Sequence, residues 1–213
     1  MFLLQSLKQN TEQNTTLEGV LFRMNWYEKL NQYFPVDEMK SQIHMETLLA
    51  DKGNVYIKDE GPKHVLMYVE FDNFIFVDYL FVSKEARGEG LGRILLNQLK
   101  EKNKVILLEV EPINYEDSDS EKRLRFYARE EFKHATRIGY SRRSLATGEN
   151  TILEILYWSP TDEDEYVIYE AMKWTYENIH TYKDEHFYGD SYDATHKVLK
   201  FNDESKKNML KPF

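Results

Sequence analysis

The fold of this chain is decided by the stretch Leu80-Phe81-Val82-Ser83-Lys84-Glu85-Ala86-Arg87-Gly88-Glu89-Gly90-Leu91-Gly92-Arg93. The apolar end of a strand runs into a polar turn that carries three alternating glycines between two arginines, and the turn opens a helix. The first backbone N–H groups of a helix have no intrahelical partner, and the helix dipole favours negative charge there. The stretch therefore predicts a strand, an anion-binding turn and a helix in succession.

The segments on either side of this turn predict a parallel pair of strands. Eight of the nine residues of Phe74–Val82 are apolar or aromatic, which is typical of a strand covered on both faces. A helical pattern follows over Leu91–Lys102, and a second apolar strand follows over Val105–Val110. A strand, a helix of this length and another strand form a βαβ unit, so we expect the two strands to lie parallel.

The rest of the chain predicts further strands and helices around this unit. Two strands precede it, at Val55–Lys58 and His64–Phe71, and two follow it, at Phe132–Tyr140 and Thr151–Trp158. A further strand is a candidate at His196–Phe201. Helices are expected at Val36–Ala50, at Glu121–Glu131, at Glu163–Tyr182 and, after a first strand near the N terminus, where Leu17, Val20, Leu21, Met24 and Leu30 recur at helical spacing.

These elements predict an α/β (α+β) fold with a mixed, mostly antiparallel sheet that contains a central parallel pair and is flanked by helices. A chain of 213 residues is long enough for one full core. We expect residues 1–158 to form that core and residues 159–213 to form a C-terminal extension with a helix, an extra strand and a tail. The aromatic stripe Tyr166–Ile179 could pack on the sheet of its own chain or form the face of a homodimer.

Composition and charge narrow the function. Lys and Arg total 28 against 37 Asp and Glu, a net charge of −9 that argues against broad nucleic-acid binding. The chain has no cysteine, which excludes disulfides and thiolate chemistry, and its six histidines show no metal-ligand spacing, so we expect no metal. No segment has the roughly 18 apolar residues of a membrane span, and the start has no signal-peptide pattern. We therefore expect a cytoplasmic protein that does not bind membranes.

The glycine turn has three interpretations. It could be a packing turn, but three alternating glycines between Arg87 and Arg93 exceed what packing requires. It could be a dinucleotide site, but the spacing G-x-G-x-G over Gly88–Gly92 differs from G-x-G-x-x-G, and the turn follows strands that look antiparallel. The third interpretation, a site for the diphosphate of an acyl-coenzyme A, is the one that the pattern favours.

The residues that carry this pattern resemble a known family. Leu80-x-Val82 followed by Arg87-Gly88-x-Gly90-x-Gly92 resembles the central motif of the GNAT superfamily, the acetyl-CoA-dependent N-acetyltransferases. The resemblance extends to the order of elements over residues 1–158 and to Phe126-Tyr127, which stands where the family has a phenylalanine or leucine followed by tyrosine. Two positions depart from the family pattern, because Ser120 replaces a frequent asparagine and Glu131 replaces a glycine.

The resemblance implies an enzyme that transfers an acetyl group from acetyl-CoA to the amine of a small molecule or peptide. The alternative is a catalytically idle relative that binds CoA or a protein partner as a regulator. In the family, the strands that match Phe74–Val82 and Val105–Val110 splay apart, and the pantetheine arm of acetyl-CoA lies between them. The residues implied in binding acetyl-CoA are Leu80, Phe81, Val82, Arg87, Gly88, Glu89, Gly90, Leu91, Gly92 and Arg93.

Two residues are candidates for proton transfer. Tyr127 matches the tyrosine that protonates the leaving thiolate in the family, and its alternative is a core aromatic residue. Asp78 is the only ionisable side chain of its strand and lies two residues from Leu80, so we expect it on the same face, with its pKa raised by burial. It could then deprotonate the amine. The alternatives are that Asp78 forms a structural ion pair with an arginine or lysine, or that Glu109 or Glu111 is the base.

Overall fold

A computed structural model describes residues 24–36, 38–113 and 118–213 of the chain. The predicted N-terminal strand and the helical pattern over Leu17, Val20 and Leu21 lie outside these residues. Leu30 falls in the first helix of the described part and is fully buried. Within the described ranges, every helix is too short or too polar to cross a lipid bilayer.

The strands form one mixed sheet. Its order is β1-β2-β3-β4-β7-β6-β8, with the two-residue β5 also paired to β7. β3 and β4 are parallel, as the βαβ pattern predicts, and the other pairings are antiparallel, so the predicted fold class is confirmed. The strand bounds are β1 Tyr56–Gly61, β2 His64–Glu70, β3 Phe74–Val82, β4 Val105–Val110, β5 Lys133–His134, β6 Ile138–Arg143, β7 Asn150–Trp158 and β8 Leu199–Phe201.

Helices cover both faces of the sheet. The helix bounds are α1 Trp26–Asn31, α2 Gln42–Asp51, α3 Leu91–Lys100, α4 Ser118–Arg129, α5 Glu165–Thr175, α6 Asp184–Tyr188 and α7 Thr195–Val198. A core that includes Leu48 and Met172 lies between one face and α1, α2 and α5. A second core, which includes Leu96 and Leu124, lies between the other face and α3 and α4. The central strands are apolar on both sides because each side is covered.

A β-bulge at Asp78 changes the direction of the side chains along β3. Val77 and Tyr79 pair with consecutive residues of β2, which leaves Asp78 as an extra residue in that ladder. Because of the extra residue, Asp78 and Tyr79 both lie on the face under α1 and α2, where Asp78 accepts a hydrogen bond from the core residue Tyr56, whereas Leu80 faces the core under α3 and α4. The prediction that Asp78 and Leu80 share a face is therefore wrong, since a two-residue period holds only in a strand without a bulge.

The predicted strand Phe132–Tyr140 is two strands in the structure. β5 ends after two residues, and β6 begins only at Ile138. Between them, the carboxylate of Glu165 accepts hydrogen bonds from the backbone N–H groups of Thr136 and Arg137 at 2.9 and 2.6 Å. A side chain at the start of α5 thus replaces the ladder partners of this segment, and nothing in the local pattern predicts it.

The predicted helix Val36–Ala50 begins later than expected. α2 starts at Gln42, because the hydroxyl of Ser41 accepts a hydrogen bond from the backbone N–H of His44 and so caps the first turn. The residues before Ser41 form a loop that brings Lys40 to the sheet. α4, by contrast, begins earlier than predicted, at Ser118.

Residues 159–213 pack into the same core as the rest of the chain. α5 buries Ile168 and Met172 against the sheet, and β8 adds a strand beside β6. The predicted helix Glu163–Tyr182 is α5 followed by one π-helical turn, Tyr176–His180. This turn lies over polar side chains of β4 and β6, at the edge of the cleft described next.

Candidate active site

A cleft of about 790 Å³ opens where β3 and β4 separate. The two strands pair only over Phe74–Val77 and Val105–Leu108, although β3 continues to Val82 and β4 continues to Val110. Beyond the last pair, no strand among the described residues lies beside the edge of β3 that faces β4. Backbone amides at such an edge can be satisfied by a ligand that carries amides of its own.

The three predicted residues at the end of β3 do not all point into this cleft. Leu80 and Val82 line it. Phe81 is buried on the opposite face, where its ring lies 6.2 Å from the ring of Tyr33. Of Phe81, only the backbone can therefore take part in binding a ligand between the strands.

The glycine turn closes one end of the cleft. Gly88 and Gly90 have φ angles of 87° and 85°, in the left-handed region that residues with a Cβ rarely adopt. Gly90 precedes α3, and its carbonyl accepts the first hydrogen bond of that helix, from Ile94 at 3.0 Å. A Cβ on Gly92 would lie 3.3 Å from the ring of Phe126, so this glycine allows α4 to approach α3. The N–H groups of the first turn of α3 are left for an anion.

Two arginines stand at the same end of the cleft. The guanidinium of Arg87 lies 4.8 Å from the centre of the Tyr33 ring and 3.4 Å from the carboxylate of Asp119. Arg93 lies 3.8 Å from the carboxylate of Glu130 and is mostly exposed. The ring and the carboxylate hold Arg87 beside the turn, where its charge can attract a phosphate.

The side chains of the two residues that flank Gly90 point in different directions. Leu91 lines the cleft and packs on the core under α3. Glu89, which was predicted to bind the ligand, turns its carboxylate to within 3.7 Å of Lys63 and does not line the cleft. The turn therefore presents backbone and apolar groups to the cleft, and it keeps this negative charge away from it.

Tyr127 lies inside α4, with its ring against Phe126 and Phe132 at 5.3 and 5.4 Å. It lines the cleft although it is only 7% exposed. Burial raises the pKa of the Tyr127 hydroxyl to about 12, and the nearby charge of Arg123 opposes this rise. The hydroxyl is thus protonated at neutral pH and able to donate.

Asp78 lines the cleft but is held in an ion pair. The Lys40 ammonium donates to both carboxylate oxygens, at 2.7 and 2.9 Å, and the Tyr56 hydroxyl donates to one of them at 2.6 Å. Burial acts to raise the pKa of Asp78, but the charge of Lys40 and the hydrogen bonds from Lys40 and Tyr56 lower it below its ordinary value. The predicted rise is wrong, because the carboxylate is buried together with its counter-ion.

A second buried cluster lies near the Lys40–Asp78 pair and comprises Glu109, Arg142 and His180. One carboxylate oxygen of Glu109 lies 3.5 Å from Arg142 Nη2, and the other lies 2.9 Å from His180 Nε2. Burial acts to raise the pKa of Glu109, but Arg142 and His180 hold it well below its ordinary value. Glu109 and Arg142 line the cleft, whereas His180 lies behind them.

Sequence analysis identified Glu109 but missed its two partners. Glu109 is the single charge in the apolar strand Val105–Val110, which is a visible signal. Arg142 stands beside another arginine near a strand end, a pattern typical of a solvated edge. His180 falls inside a predicted surface helix, and no spacing in the sequence relates it to β4.

Glu111 lies at the rim of the cleft. Its carboxylate is 3.9 Å from Arg123 Nη2, and the Arg123 Nε atom is buried with no hydrogen-bond partner among the described residues. In the parts of the chain that the structure covers, no three histidine, aspartate or glutamate side chains are grouped as metal ligands.

Comparison with known proteins identifies the family. The family model described as "Acetyltransferase (GNAT) domain" matches residues 51–134, which hold β1 to β5 and the glycine turn. The chain is 65% identical over 187 residues to "Putative acetyltransferase YjbC" of Bacillus subtilis (strain 168), which is 88% of this chain and 97% of that protein. It resembles in fold the structure "Putative acetyltransferase from GNAT family from Bacteroides thetaiotaomicron", with a TM-score of 0.54, 23% identity and coverage of 70% of this chain and 87% of the other. The chain therefore belongs to the GNAT superfamily of acetyltransferases and is an acyltransferase.

Proposed function

We propose that this enzyme transfers the acetyl group of acetyl-CoA to a primary amine, by direct attack of the amine on the thioester in a ternary complex. The observation that carries the proposal is the cleft between β3 and β4, which begins where their pairing stops at Val77 and ends at the glycine turn. One continuous channel thus joins an open strand edge to an anion site.

The groups along this channel fit acetyl-CoA as a substrate. The N–H groups at the start of α3, with Arg87 and Arg93, would hold the diphosphate. The open edge of β3 beside Leu80 and Val82 would pair with the two amides of the pantetheine arm. A backbone N–H of that edge near Leu80 would also stabilise the negative charge that develops on the thioester oxygen.

The far end of the cleft carries the groups that an amine acceptor needs. An alkyl ammonium with a pKa of about 10 must lose a proton before it can attack. Asp78, Glu109 and Glu111 all line the cleft and can accept that proton, directly or through one water. Asp78 and Glu109 are held as carboxylates by cations, which keeps both ionised but makes each a weaker base than an unpaired carboxylate.

Tyr127 is placed to supply the second proton. As the new C–N bond forms, the C–S bond breaks and leaves a thiolate, which takes a proton to become the free thiol of CoA. The buried hydroxyl of Tyr127 lines the cleft and is protonated throughout the neutral range. The carboxylate takes the proton that the ammonium loses before attack. The attacking nitrogen loses a second proton as the amide forms, and this proton restores the phenol that has protonated the thiolate. One proton then remains on the carboxylate for release to water, so protons and charges balance.

A catalytically idle, CoA-binding relative is the second candidate function. The observation that favours it is the ion pairing of Asp78 and Glu109, since both buried carboxylates already have cationic partners. Such a protein would keep the anion site and the open strand edge but lack transfer.

Two measurements test these functions. Isothermal titration with CoA, acetyl-CoA and NAD should show binding of the first two and none of NAD. Release of the CoA thiol should then be followed with acetyl-CoA and a panel of amines that covers polyamines, amino acids, aminoglycosides and peptides with a free N terminus or lysine. Transfer to at least one amine supports the enzyme. CoA binding without transfer to any amine supports the idle relative, and absence of CoA binding refutes both.

A further inference from the structure

The C-terminal segment places a buried histidine directly behind Glu109, a residue that lines the cleft. His180 ends the π-helical turn that follows α5, well beyond residues 51–134 that match the acetyltransferase domain. It is 1% exposed, and its ring packs edge-on against Phe76 of β3 at 5.4 Å. π-helical turns are rare in proteins, and those that occur are often found at functional sites, because the wider turn gives side chains a new direction.

The contacts of the imidazole define its tautomer. Arg142 Nη1 lies 3.3 Å from His180 Nδ1, and because a guanidinium can only donate, Nδ1 must be the acceptor. The proton of the neutral ring is then on Nε2, which lies 2.9 Å from a carboxylate oxygen of Glu109, a short polar contact that does not have the geometry of a hydrogen bond. Burial is the largest influence on His180 and lowers its pKa, so the ring is neutral at pH 7.

We propose that His180 is a positioning residue for acyl transfer, which holds the Glu109 carboxylate facing the cleft so that it accepts the proton of the attacking amine. The inference rests on the proposed function. His180 does not line the cleft and would touch neither substrate, so it acts through Glu109. The amine N–H bond breaks as the proton moves to Glu109, which later releases it to water.

Other charges around the pair do not replace this role. Lys40 and Asp78 form their own ion pair, so Arg142 is the remaining cation beside Glu109. Arg142 reaches the carboxylate oxygen that His180 does not. The titratable and charged groups that face Glu109 or His180 are Asp78 of β3, Lys40 of the loop before α2, His44 of α2, Tyr140 and Arg142 of β6, Tyr176 of the π-helical turn and Tyr192.

The chain contains a matched control for this contact. His134 is 3% exposed, and its Nε2 lies 3.0 Å from the carboxylate of Glu154, while its Nδ1 accepts from the backbone N–H of Met209 at 3.2 Å. A buried histidine between a carboxylate and a donor thus occurs also at a site that does not line the cleft, and there the contact to the carboxylate is a hydrogen bond. Replacing His134 tests what the loss of a buried histidine does to folding alone.

The experiment compares His180→Phe, His180→Gln and His134→Gln with the wild type, using acetyl-CoA and the best amine of the panel. His180→Phe should lower kcat by at least about tenfold and leave the KM for acetyl-CoA within about twofold. The acidic limb of its pH profile should move to higher pH, because Glu109 loses a donor that lowers its pKa. His180→Gln keeps a donor close to the position of Nε2 and should recover most of the rate. His134→Gln should lower the melting temperature without moving the acidic limb.

Two results would overturn the inference. If His180→Phe changes only the melting temperature, and kcat and the acidic limb stay at the wild-type values, His180 is structural and the acyltransferase function stands. If long-range 1H–15N spectra at pH 7 show the His180 ring protonated on Nδ1, Nε2 directs no proton toward Glu109, and the ring cannot position the carboxylate as proposed. The histidine ring signals that are missing from the spectrum of His180→Gln are those of His180. If the wild type acetylates no amine, the proposed function itself has failed, and the spectra still report the geometry.

Discussion

Lys40 and Asp78 form a buried ion pair at the bulge of β3, with the ammonium 2.7 and 2.9 Å from the two carboxylate oxygens. The loop that carries Lys40 contacts β3 a second time. The backbone N–H of Lys40 donates to the Tyr79 hydroxyl, and that hydroxyl donates to the carbonyl of Glu38. These contacts hold the loop that carries Lys40 against β3, the strand whose open edge the proposed substrate acetyl-CoA would use.

Lys40→Met should lower the free energy of unfolding by about 3–5 kcal/mol, because it leaves the Asp78 carboxylate buried without a counter-ion. Urea unfolding measures the loss. The double variant Lys40→Met/Asp78→Leu removes both charges and should recover most of it. If the two substitutions instead destabilise additively, the pair does not interact as the geometry indicates.

Gly90→Ala should weaken CoA binding by about tenfold or more, which corresponds to at least ~1.4 kcal/mol. The Cβ would enter open space beside the first turn of α3, where the diphosphate is proposed to lie. Gly148→Ala is the control, because Gly148 has a φ of 76° and open surroundings but lies in the turn between β6 and β7. Both variants should lose ~1–2 kcal/mol of stability to backbone strain. Equal CoA affinities for the two, by calorimetry, would contradict the anion site.

Tyr127→Phe should reduce kcat by about 10²-fold and leave the affinity for acetyl-CoA almost unchanged, because only the proton donor is lost. Since the pKa of Tyr127 is raised to about 12, its ionisation should cause no fall in rate up to about pH 10. Tyr68→Phe removes a hydroxyl from a buried tyrosine outside the cleft and should turn over normally. Wild-type turnover in Tyr127→Phe would remove this residue from the mechanism.

The three carboxylates of the cleft should respond differently when made neutral. Glu109→Gln should slow turnover by about 10²-fold or more if it takes the amine proton. Asp78→Asn should mainly lower stability, because Lys40 loses its partner. Glu111→Gln should change little. The readouts are kcat with the best amine and the urea midpoint for each variant. A large rate loss in Asp78→Asn with native stability would assign the base to Asp78 instead.

The sequence predicted the parts of the fold and site that depend on local pattern. The apolar runs Phe74–Val82 and Val105–Val110 predicted the parallel pair, and the alternating glycines predicted a turn that opens a helix. At Glu131, where the family has glycine, the backbone keeps the left-handed conformation with a φ of 63°, so the turn geometry persists without the glycine. Local signals were sufficient wherever the neighbouring residues alone determine the backbone.

The features that sequence missed depend on contacts between distant segments. The bulge at Asp78 adds one residue to a uniformly apolar strand, and no residue type marks it. The split between β5 and β6 is made by Glu165 from the following helix. The cleft residues Asp78 and Glu109 take their partners Lys40 and His180 from two distant segments, and only the folded chain shows these contacts.

His44 should make the folded state sensitive to acid. Burial and the charge of Lys40 lower the pKa of His44 from 6.5 to about 3, so the folded chain keeps the ring neutral where the unfolded chain protonates it. Unfolding then takes up a proton, and stability should fall by up to about 1.4 kcal/mol per pH unit as the pH drops from 6.5 toward 3. His44→Gln should flatten this slope, whereas His196→Gln, at an exposed position, should not. Urea midpoints at half-unit steps of pH give the slopes, and an unchanged slope in His44→Gln would show that other groups, such as His180, carry the acid sensitivity.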